Sequence, residues 1–216
     1  MQRLGTVIEK ARELPTPTTL LPPNGAGERG RLGIRFSRLG NTFEAFDLSL
    51  NPTMKDAYER CKAVAEGREW CAFLHGTTGN GKTHLGIAAL LERERLADGC
   101  KVGIFWKVPD FLDWLRQHLR QGIDAGYGGA KVDEILRTYS SPEFLLVLDD
   151  LGTEQGTEWV DQQLNRLLDD RYEERAPTIV TSNVLFDEIT ERIRSRYGVG
   201  YVQCGGKDLR PRPWTR

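Results

Sequence analysis

The sequence predicts an α/β protein in which helices cover both faces of a parallel β-sheet. The first observation is that short apolar runs alternate with longer, helix-like segments along the chain. The second is that these runs are continuously apolar, which is typical of strands buried on both faces. The third is a glycine-rich loop between the first run and the helix after it, a connection common in such sheets. At 216 residues the chain can form one domain with a sizeable core.

Composition divides the chain into a leader, a folded domain and a tail. Residues 1–40 are rich in Pro and Gly and lack apolar periodicity, so we expect a flexible leader with a local charge of +4. The folded domain is expected over 41–204, and a basic tail over 205–216. Both basic ends could contact phosphates or simply be solvated.

The overall composition fits an ordinary soluble globular protein. The net charge is −1, with 39% hydrophobic and 28% charged residues. No signal-peptide core or membrane-length apolar stretch is visible, so we expect a cytoplasmic protein without a membrane partner. The cysteines form no CxxC pair, which disfavours a zinc ribbon or a disulfide framework and favours buried, reduced thiols at Cys61, Cys71, Cys100 and Cys204.

Helix and strand signals in the first half of the domain are bounded by Pro and Gly. Pro52 stands at the predicted start of the first helix, and Gly67 and Gly99 end the first and second helices. Pro109 suits the first turn of the third helix, where leucines form one stripe. The predicted elements are a helix over 51–67, a strand over 70–75, a helix over 82–98, a strand over 101–107 and a helix over 109–119.

The second half continues the alternation after a Gly-interrupted segment, 120–141. A long helix carries Val160, Leu164 and Leu167 on one face and ends before Pro177. The apolar runs on either side of this helix predict strands. The predicted elements are a short helix over 131–139, a strand over 143–150, a helix over 157–175, a strand over 178–183, a helix over 187–196 and a strand over 200–204.

The glycine-rich loop carries the clearest functional signal. HGTTGNGKTHL (75–85) matches GxxxxGK[ST] between a predicted strand and a predicted helix, which is the context of a phosphate-binding loop and disfavours a chance Gly-rich turn. Its glycines let backbone N–H groups surround a phosphate, and the helix N-terminus adds its dipole. We expect Lys82 to reach the β- and γ-phosphates and Thr83 to hold Mg²⁺. The expected nucleotide-binding residues are Gly76, Thr77, Thr78, Gly79, Asn80, Gly81, Lys82, Thr83 and His84.

Polar side chains end two of the later apolar strands. Asp149 and Asp150 end the strand at 143–150, and Asn183 ends the strand at 178–183. Because the carboxyl ends of parallel strands border the phosphate crevice, we expect Asp149 to bind Mg²⁺ and Asp150 to orient or activate the attacking water. Asn183 would position the same water, as a Gln does in GTPases. The alternatives are a surface turn for the acids and a turn residue for the amide.

The order of these motifs resembles that of the AAA+ ATPases, and most closely the DnaC-type helicase loaders and the IstB-like transposition helpers. The resemblance runs from about Asn41 to the C-terminus. It implies a P-loop NTPase with a RecA-like sheet of strand order 5-1-4-3-2 and without a lid domain after the last strand. The stretches that carry it are TFEAF (42–46), GNGKTHL (79–85), VPDFLDWL (108–115), LLVLDDLGTE (145–154), PTIVTSN (177–183) and ERIRSRYG (191–198).

The resemblance also implies ligands and partners. ATP with Mg²⁺ would be bound and hydrolysed, and single-stranded DNA, a hexameric replicative helicase and further copies of the chain would be partners. Many AAA+ proteins carry Glu at the position of Asp150, so we expect slow hydrolysis that oligomerisation or DNA stimulates. TFEAF would lie near the adenine or serve as a hydrophobic anchor for the first helix.

The segment 109–141 lies where the relatives carry a helical motif that lines a DNA channel. Its basic residues and interleaved rings suit single-stranded nucleic acid, which requires cations for the backbone and rings for stacking. Trp114 fits a core position equally well. The resemblance indicates Arg116, Arg120, Tyr127 and Lys131 as DNA contacts, with Arg137, Trp114 and Tyr139 nearby.

Three arginines alternate near the end of the domain. Glu188 precedes Arg192 by four positions and Glu191 precedes Arg194 by three, spacings that predict ion pairs within one helix. Arg196 has no acidic residue at these spacings. The family pattern places an arginine finger at this position, so we expect Arg196 to act in trans on the γ-phosphate bound by a neighbouring subunit. The alternative is a helix C-terminal cation favoured by the dipole.

Three functions remain open on these residues. The leading hypothesis is an ATP-dependent helicase loader. An IstB-like transposition helper shares every ATP-binding motif with it, and a nucleotide-sensing module without turnover is the third possibility. A small-molecule kinase is disfavoured because nothing resembles an acceptor lid.

Overall fold

The computed structural model describes residue 34 and residues 38–98, 103–124, 128–152 and 158–209. Its sheet has five parallel strands in the order β2-β3-β4-β1-β5, which confirms the predicted order read from the opposite edge. The strands are β1 (Cys71–Gly76), β2 (Gly103–Lys107), β3 (Leu145–Leu151), β4 (Thr178–Ser182) and β5 (Tyr201–Cys204).

One helix precedes β1, and the other helices lie in the connections between strands, as the sequence predicts. A 3₁₀ turn at Pro52–Met54 leads into the first helix, so Pro52 marks the start of this element. In the part of the chain that the structure describes, no helix is long and apolar enough to cross a bilayer. The helices are α1 (Lys55–Ala65), α2 (Lys82–Leu96), α3 (Val108–Asp124), α4 (Gly128–Tyr139), α5 (Glu158–Glu173) and α6 (Glu191–Tyr197).

Two apolar clusters pack against opposite faces of the sheet. Successive strand residues point to opposite faces, so Phe73 joins one cluster while Ala72 and Leu74 join the other. Helices α3 to α6 contribute to the cluster that contains Phe73, and helices α1 and α2 contribute to the cluster that contains Ala72 and Leu74. The predicted coverage of both faces is therefore confirmed, and the carboxyl ends of β1, β3 and β4 are left at one edge of the sheet.

The folded unit reaches into the predicted leader. Ile34 is completely buried in the cluster formed with α1 and α2. Phe43 is also buried, and its ring centroid lies 5.0 Å from that of Tyr58 on α1. The TFEAF stretch thus anchors the first helix through apolar contacts, and the domain begins before the predicted boundary at Asn41.

The helix predicted over 187–196 is divided into two pieces. A 3₁₀ turn (Phe186–Glu188) precedes α6, and Thr190 between them has extended backbone with φ −53° and ψ 137°. Glu188 therefore lies outside the helix that carries Arg192. The geometry that brings residues four apart together exists only within one helix, so this predicted ion pair loses its basis.

Three of the four cysteines lie in the described part of the chain. Cys61, Cys71 and Cys204 are buried free thiols, as predicted, whereas Cys100 lies outside the described residues. Burial raises the pKa of Cys71 to about 12 and that of Cys204 to about 11. These thiols are therefore protonated and unreactive at neutral pH.

Candidate nucleotide-binding site

A cavity of about 530 Å³ lies at the carboxyl edge of the sheet. The glycine-rich loop, the paired aspartates and the strand-end asparagine all border it, so the structure brings together three motifs that are separated in sequence. Two lining residues, Arg38 and Lys107, were not predicted. The cavity is lined by Arg38, Thr78, Gly79, Asn80, Gly81, Lys82, Thr83, Lys107, Asp149, Asp150 and Asn183.

Backbone conformation explains two of the loop glycines. Gly79 and Gly81 have φ values of +79° and +106°, a region that other residues rarely adopt. A Cβ at Gly81 would lie 2.6 Å from the ring of Phe46, and one at Gly79 would overlap the carboxylate of Asp208. The Leu209 N–H also donates to the Gly79 carbonyl at 3.0 Å. The loop is thus enclosed by residues from both the predicted tail and the TFEAF stretch.

Lys82 is held inside the loop that precedes it. Its Nζ donates to the carbonyl oxygens of Gly76 at 2.8 Å and Thr77 at 2.6 Å, and to Asn80 Oδ1 at 3.2 Å. Asn80 is itself fully buried and donates from Nδ2 to the carbonyl of Cys204 at 2.9 Å, which joins the loop to β5. The side chain of Asn80 therefore shapes the loop, and Lys82 fixes a positive charge at the cavity.

Gly76, Thr77 and His84 are the members of the predicted set that do not line the cavity, and His84 packs against the TFEAF stretch. Its Nε2 is 2.8 Å from the Thr42 carbonyl, and its ring meets Phe46 edge-on with centroids 5.1 Å apart. Burial lowers the pKa of His84, and the Thr42 hydrogen bond opposes this shift. His84 is absent from the cavity lining and connects α2 to the TFEAF stretch.

The two carboxylate oxygens of Asp149 differ, since one is hydrogen-bonded and the other is not. Its Oδ1 accepts hydrogen bonds from Thr83 Oγ1 at 2.8 Å and Thr181 Oγ1 at 2.7 Å. Its Oδ2 is buried and has no hydrogen-bond partner. Burial and the neighbouring charge of Asp150 raise the pKa of Asp149. Binding a cation would offset both effects.

The residues around Asp149 fit Mg²⁺. The unpartnered Oδ2 lies on the side chain that also contacts the Thr83 hydroxyl. Carboxylate and hydroxyl oxygens beside a phosphate site are donors that Mg²⁺ prefers. Thr83 and Asp149 are thus the residues suited to hold the ion.

Asp150 is turned toward the cavity by an irregularity in β3. The register between β3 and β4 shifts between Leu148 and Leu151, and Asp150 has a φ of +64°. Its carboxylate accepts hydrogen bonds from Asn183 Nδ2 at 2.8 Å and Lys107 Nζ at 3.4 Å, one on each oxygen. Asp150 and Asn183, for which the sequence suggested parallel roles, therefore form one contacting pair.

Three site residues escaped the sequence analysis. Lys107 ends β2 beside the paired acids, so the rule that selects strand-end side chains indicates this cation as well. Thr181 follows no motif, and its link to Asp149 depends on the pairing of β3 with β4. Arg38 lies in the predicted leader and carries no local signal.

The arginines near the C-terminus find partners outside their own helix. Arg192 and Arg196 both contact Asp169 on α5, with Arg196 Nε 3.0 Å from Asp169 Oδ1. Arg194 pairs with Asp187 at 2.9 Å. Arg192 and Arg194 therefore have partners that spacing along the helix did not predict, and Arg196 does have an acidic neighbour. Sequence spacing cannot find it because it lies on another helix.

The structure describes the side chains of some of the residues predicted to contact DNA. Arg116 lies on α3 and pairs with Asp113 at 2.5 Å, and Arg120 is an exposed residue of the same helix. Lys131 belongs to α4, while Tyr127 lies outside the described residues. The structure thus places two of the four side chains, both on α3.

Two of the aromatic rings expected to stack on nucleic acid belong to the core. Trp114 and Tyr139 are buried, and their ring centroids are 6.1 Å apart. The Tyr139 hydroxyl accepts a hydrogen bond from Trp106 Nε1 at 3.2 Å. The prediction that these rings contact DNA is therefore wrong for both, and the alternative core position of Trp114 is confirmed.

The parallel sheet, the loop around Lys82 and the strand-end acids define a P-loop ATP-binding protein with an AAA+ fold. Comparison with known families makes this assignment specific. The model of the IstB-like ATP binding protein family matches residues 42–195, and the chain belongs to this family.

Individual relatives include replication and transposition proteins. The replicative helicase loader DnaI of Bacillus subtilis (strain 168) is 29% identical over 182 residues, which cover 81% of this chain and 52% of DnaI. An ATP-binding protein of an insertion sequence in Mycobacterium tuberculosis (strain ATCC 25618 / H37Rv) is 29% identical over 144 residues, covering 66% of this chain and 53% of that protein. The chain thus spans about half the length of these relatives.

A solved structure supports the same fold. The replication initiator DnaA bound to AMPPCP and single-stranded DNA aligns with a TM-score of 0.63 and 26% identity. The alignment covers 77% of this chain and 50% of that one.

Proposed function

We propose that the protein is a Mg²⁺-dependent ATPase that binds single-stranded DNA and assembles a hexameric replicative helicase on it in the cytoplasm. The observation that carries the ATPase proposal is the contact between Asp150 and Asn183 in the cavity that Lys82, Thr83 and Asp149 also line. This arrangement supports a water-orienting role for Asp150 and Asn183 beside the phosphate loop and the residues suited to Mg²⁺.

The site residues have distinct roles in this mechanism. Lys82 and the loop N–H groups bind the phosphates, and Thr83 and Asp149 hold Mg²⁺, which neutralises phosphate charge when bound. Asp150 orients the attacking water and accepts its proton, while Asn183 fixes the Asp150 carboxylate. Arg196 completes the site of a neighbouring subunit.

The similarity to DnaI supports a role in helicase loading, and the similarity to DnaA with single-stranded DNA supports a DNA ligand. Two cations on α3, the partly exposed Arg116 and the exposed Arg120, would provide a surface for the phosphate backbone. A transposition helper is the second candidate, because the family model and the insertion-sequence relative favour it.

The ATPase proposal is tested by measuring phosphate release with and without single-stranded DNA. We expect slow turnover that DNA accelerates and that Asp150→Asn abolishes while ATP is still bound. Binding without turnover in either condition would leave a nucleotide-sensing module instead.

A second experiment separates the two cellular roles. The purified chain is mixed with ATP, circular single-stranded DNA and either the replicative helicase or the transposase of the same organism. Transfer of the helicase onto the circle supports the loader. An ATP-dependent complex with the transposase alone supports the transposition helper.

A further inference from the structure

Lys107 is a cation of the cavity for which the mechanism above has no role. It is the last residue of β2 and lies opposite Asp149 in the register of β2 with β3. Its side chain lines the cavity and is 42% exposed, so it is not fixed by packing. A half-exposed lysine at the end of a strand can change rotamer without disturbing the core.

The contact that Lys107 makes is weak and readily exchanged. Its Nζ lies 3.4 Å from Asp150 Oδ2, near the upper limit for a hydrogen bond, whereas Asn183 holds the other oxygen at 2.8 Å. A partly exposed ion pair of this length contributes little net stability. Asn183 alone can keep Asp150 oriented if Lys107 leaves.

The charges around the cavity indicate what would draw Lys107 away. Its lining contains three cations, Arg38, Lys82 and Lys107, and two carboxylates, Asp149 and Asp150. The Asp149 carboxylate is suited to the metal ion, but that of Asp150 would repel a terminal phosphate brought close to it. Lys107 is a cation in contact with Asp150, so it can compensate this repulsion.

We propose that Lys107 binds the terminal phosphate of ATP and exchanges Asp150 for it, so that this residue distinguishes the triphosphate from the diphosphate. The inference rests on the proposed ATP-binding function. Since ATP carries one more negative phosphate than ADP, the loss of this cation weakens ATP selectively. A lysine that only holds Asp150 in place would affect both nucleotides equally.

The test is equilibrium binding of AMPPCP and of ADP, each with Mg²⁺, to the full chain. For Lys107→Met we expect roughly tenfold weaker AMPPCP binding, the loss of one charge-assisted hydrogen bond, and ADP affinity unchanged within about twofold. Lys107→Arg should recover most of the AMPPCP affinity. The matched control is Lys55→Met, an exposed lysine of α1 away from the cavity, which should bind both nucleotides like the wild type.

Retained ADP binding also shows that the variant is folded. Equal weakening of both nucleotides, or no change for either, overturns the role of Lys107 while leaving the ATPase proposal intact. If the wild-type chain binds neither nucleotide, both proposals fail.

Discussion

Arg171 on α5 is a fully buried arginine whose described partners are all uncharged oxygens. Its guanidinium donates to the carbonyls of Tyr139, Phe144 at 2.8 Å and Pro177 at 2.6 Å, and to Thr178 Oγ1 at 2.9 Å. Burial lowers the pKa of Arg171 to about 10, which leaves it protonated at neutral pH. One side chain thus joins the end of α4, the entry to β3 and the start of β4.

We expect Arg171→Met to lower the free energy of unfolding by roughly 3 kcal/mol or more, because several buried carbonyls lose their donor at once. Urea unfolding measures the change. The control is Arg166→Met on the same helix, whose 2.5 Å pair with Asp133 is about half exposed. That variant should differ from the wild type by about 0.5 kcal/mol or less. Equal losses in the two variants would contradict the central role of Arg171.

At the scale of elements, one hydroxyl couples the ends of β3 and β4. Thr181 on β4 donates to Asp149 Oδ1 at 2.7 Å and accepts the Asp150 N–H at 3.1 Å. These two bonds hold β3 at the point where its register with β4 shifts and Asp150 takes a positive φ. The geometry of both acids therefore depends on the neighbouring strand.

Thr181→Val keeps the shape and strand preference of the side chain but removes both hydrogen bonds. We expect the free energy of unfolding to fall by about 1–3 kcal/mol, since the Asp150 N–H loses its acceptor and the buried Asp149 carboxylate loses a donor. The thermal stabilisation given by ATP with Mg²⁺ should also shrink, because Asp149 is no longer held for the metal. Thr138→Val on α4 serves as the control. Unchanged stabilisation by MgATP would show that β4 does not position Asp149.

Local signals explain what the sequence predicted well. The loop of Lys82 and the strand that ends in Asp149 and Asp150 are short contiguous patterns. The structure contains this strand and the helix after the loop at nearly the predicted bounds. The break at Thr190 and the neighbour of Arg196 depend on how α5 and α6 pack, which spacing along one helix does not encode. Contacts made across the sheet are hidden from sequence patterns for the same reason.

Local sequence patterns also could not decide where the aromatic residues of the predicted DNA-binding segment lie. A ring between basic residues suits both a nucleic-acid surface and a core, and only the packing of α3 against α4 decides between them. Trp114 and Tyr139 joined the core because the apolar stripes of both helices face the sheet. The cations of α3 remain on the outside, as the long charged side chains of an amphipathic helix do.

At the scale of the whole molecule, Arg196 raises the question of whether one chain is a complete enzyme. Its guanidinium contacts Asp169 on α5 and is not among the residues that line the cavity of its own chain. The Arg196 side chain is 28% exposed, so it can be reached from outside. The pair with Asp169 would hold it in a fixed direction until a neighbouring subunit binds. In an assembly with head-to-tail contacts, each site would receive this arginine from the next copy.

Mixing two inactive variants tests this arrangement. Arg196→Ala should reduce ATPase activity by about 10³-fold at concentrations that allow assembly, and Lys82→Ala should abolish nucleotide binding. If the arginine acts in trans, a one-to-one mixture recovers about a quarter of wild-type activity, because intact sites then meet intact arginines at some interfaces. Arg192→Ala is the control, since Arg192 shares Asp169 but should leave activity near the wild-type value. Full activity of Arg196→Ala, or a mixture as inactive as its parts, would restrict Arg196 to the ion pair with Asp169 within its own chain.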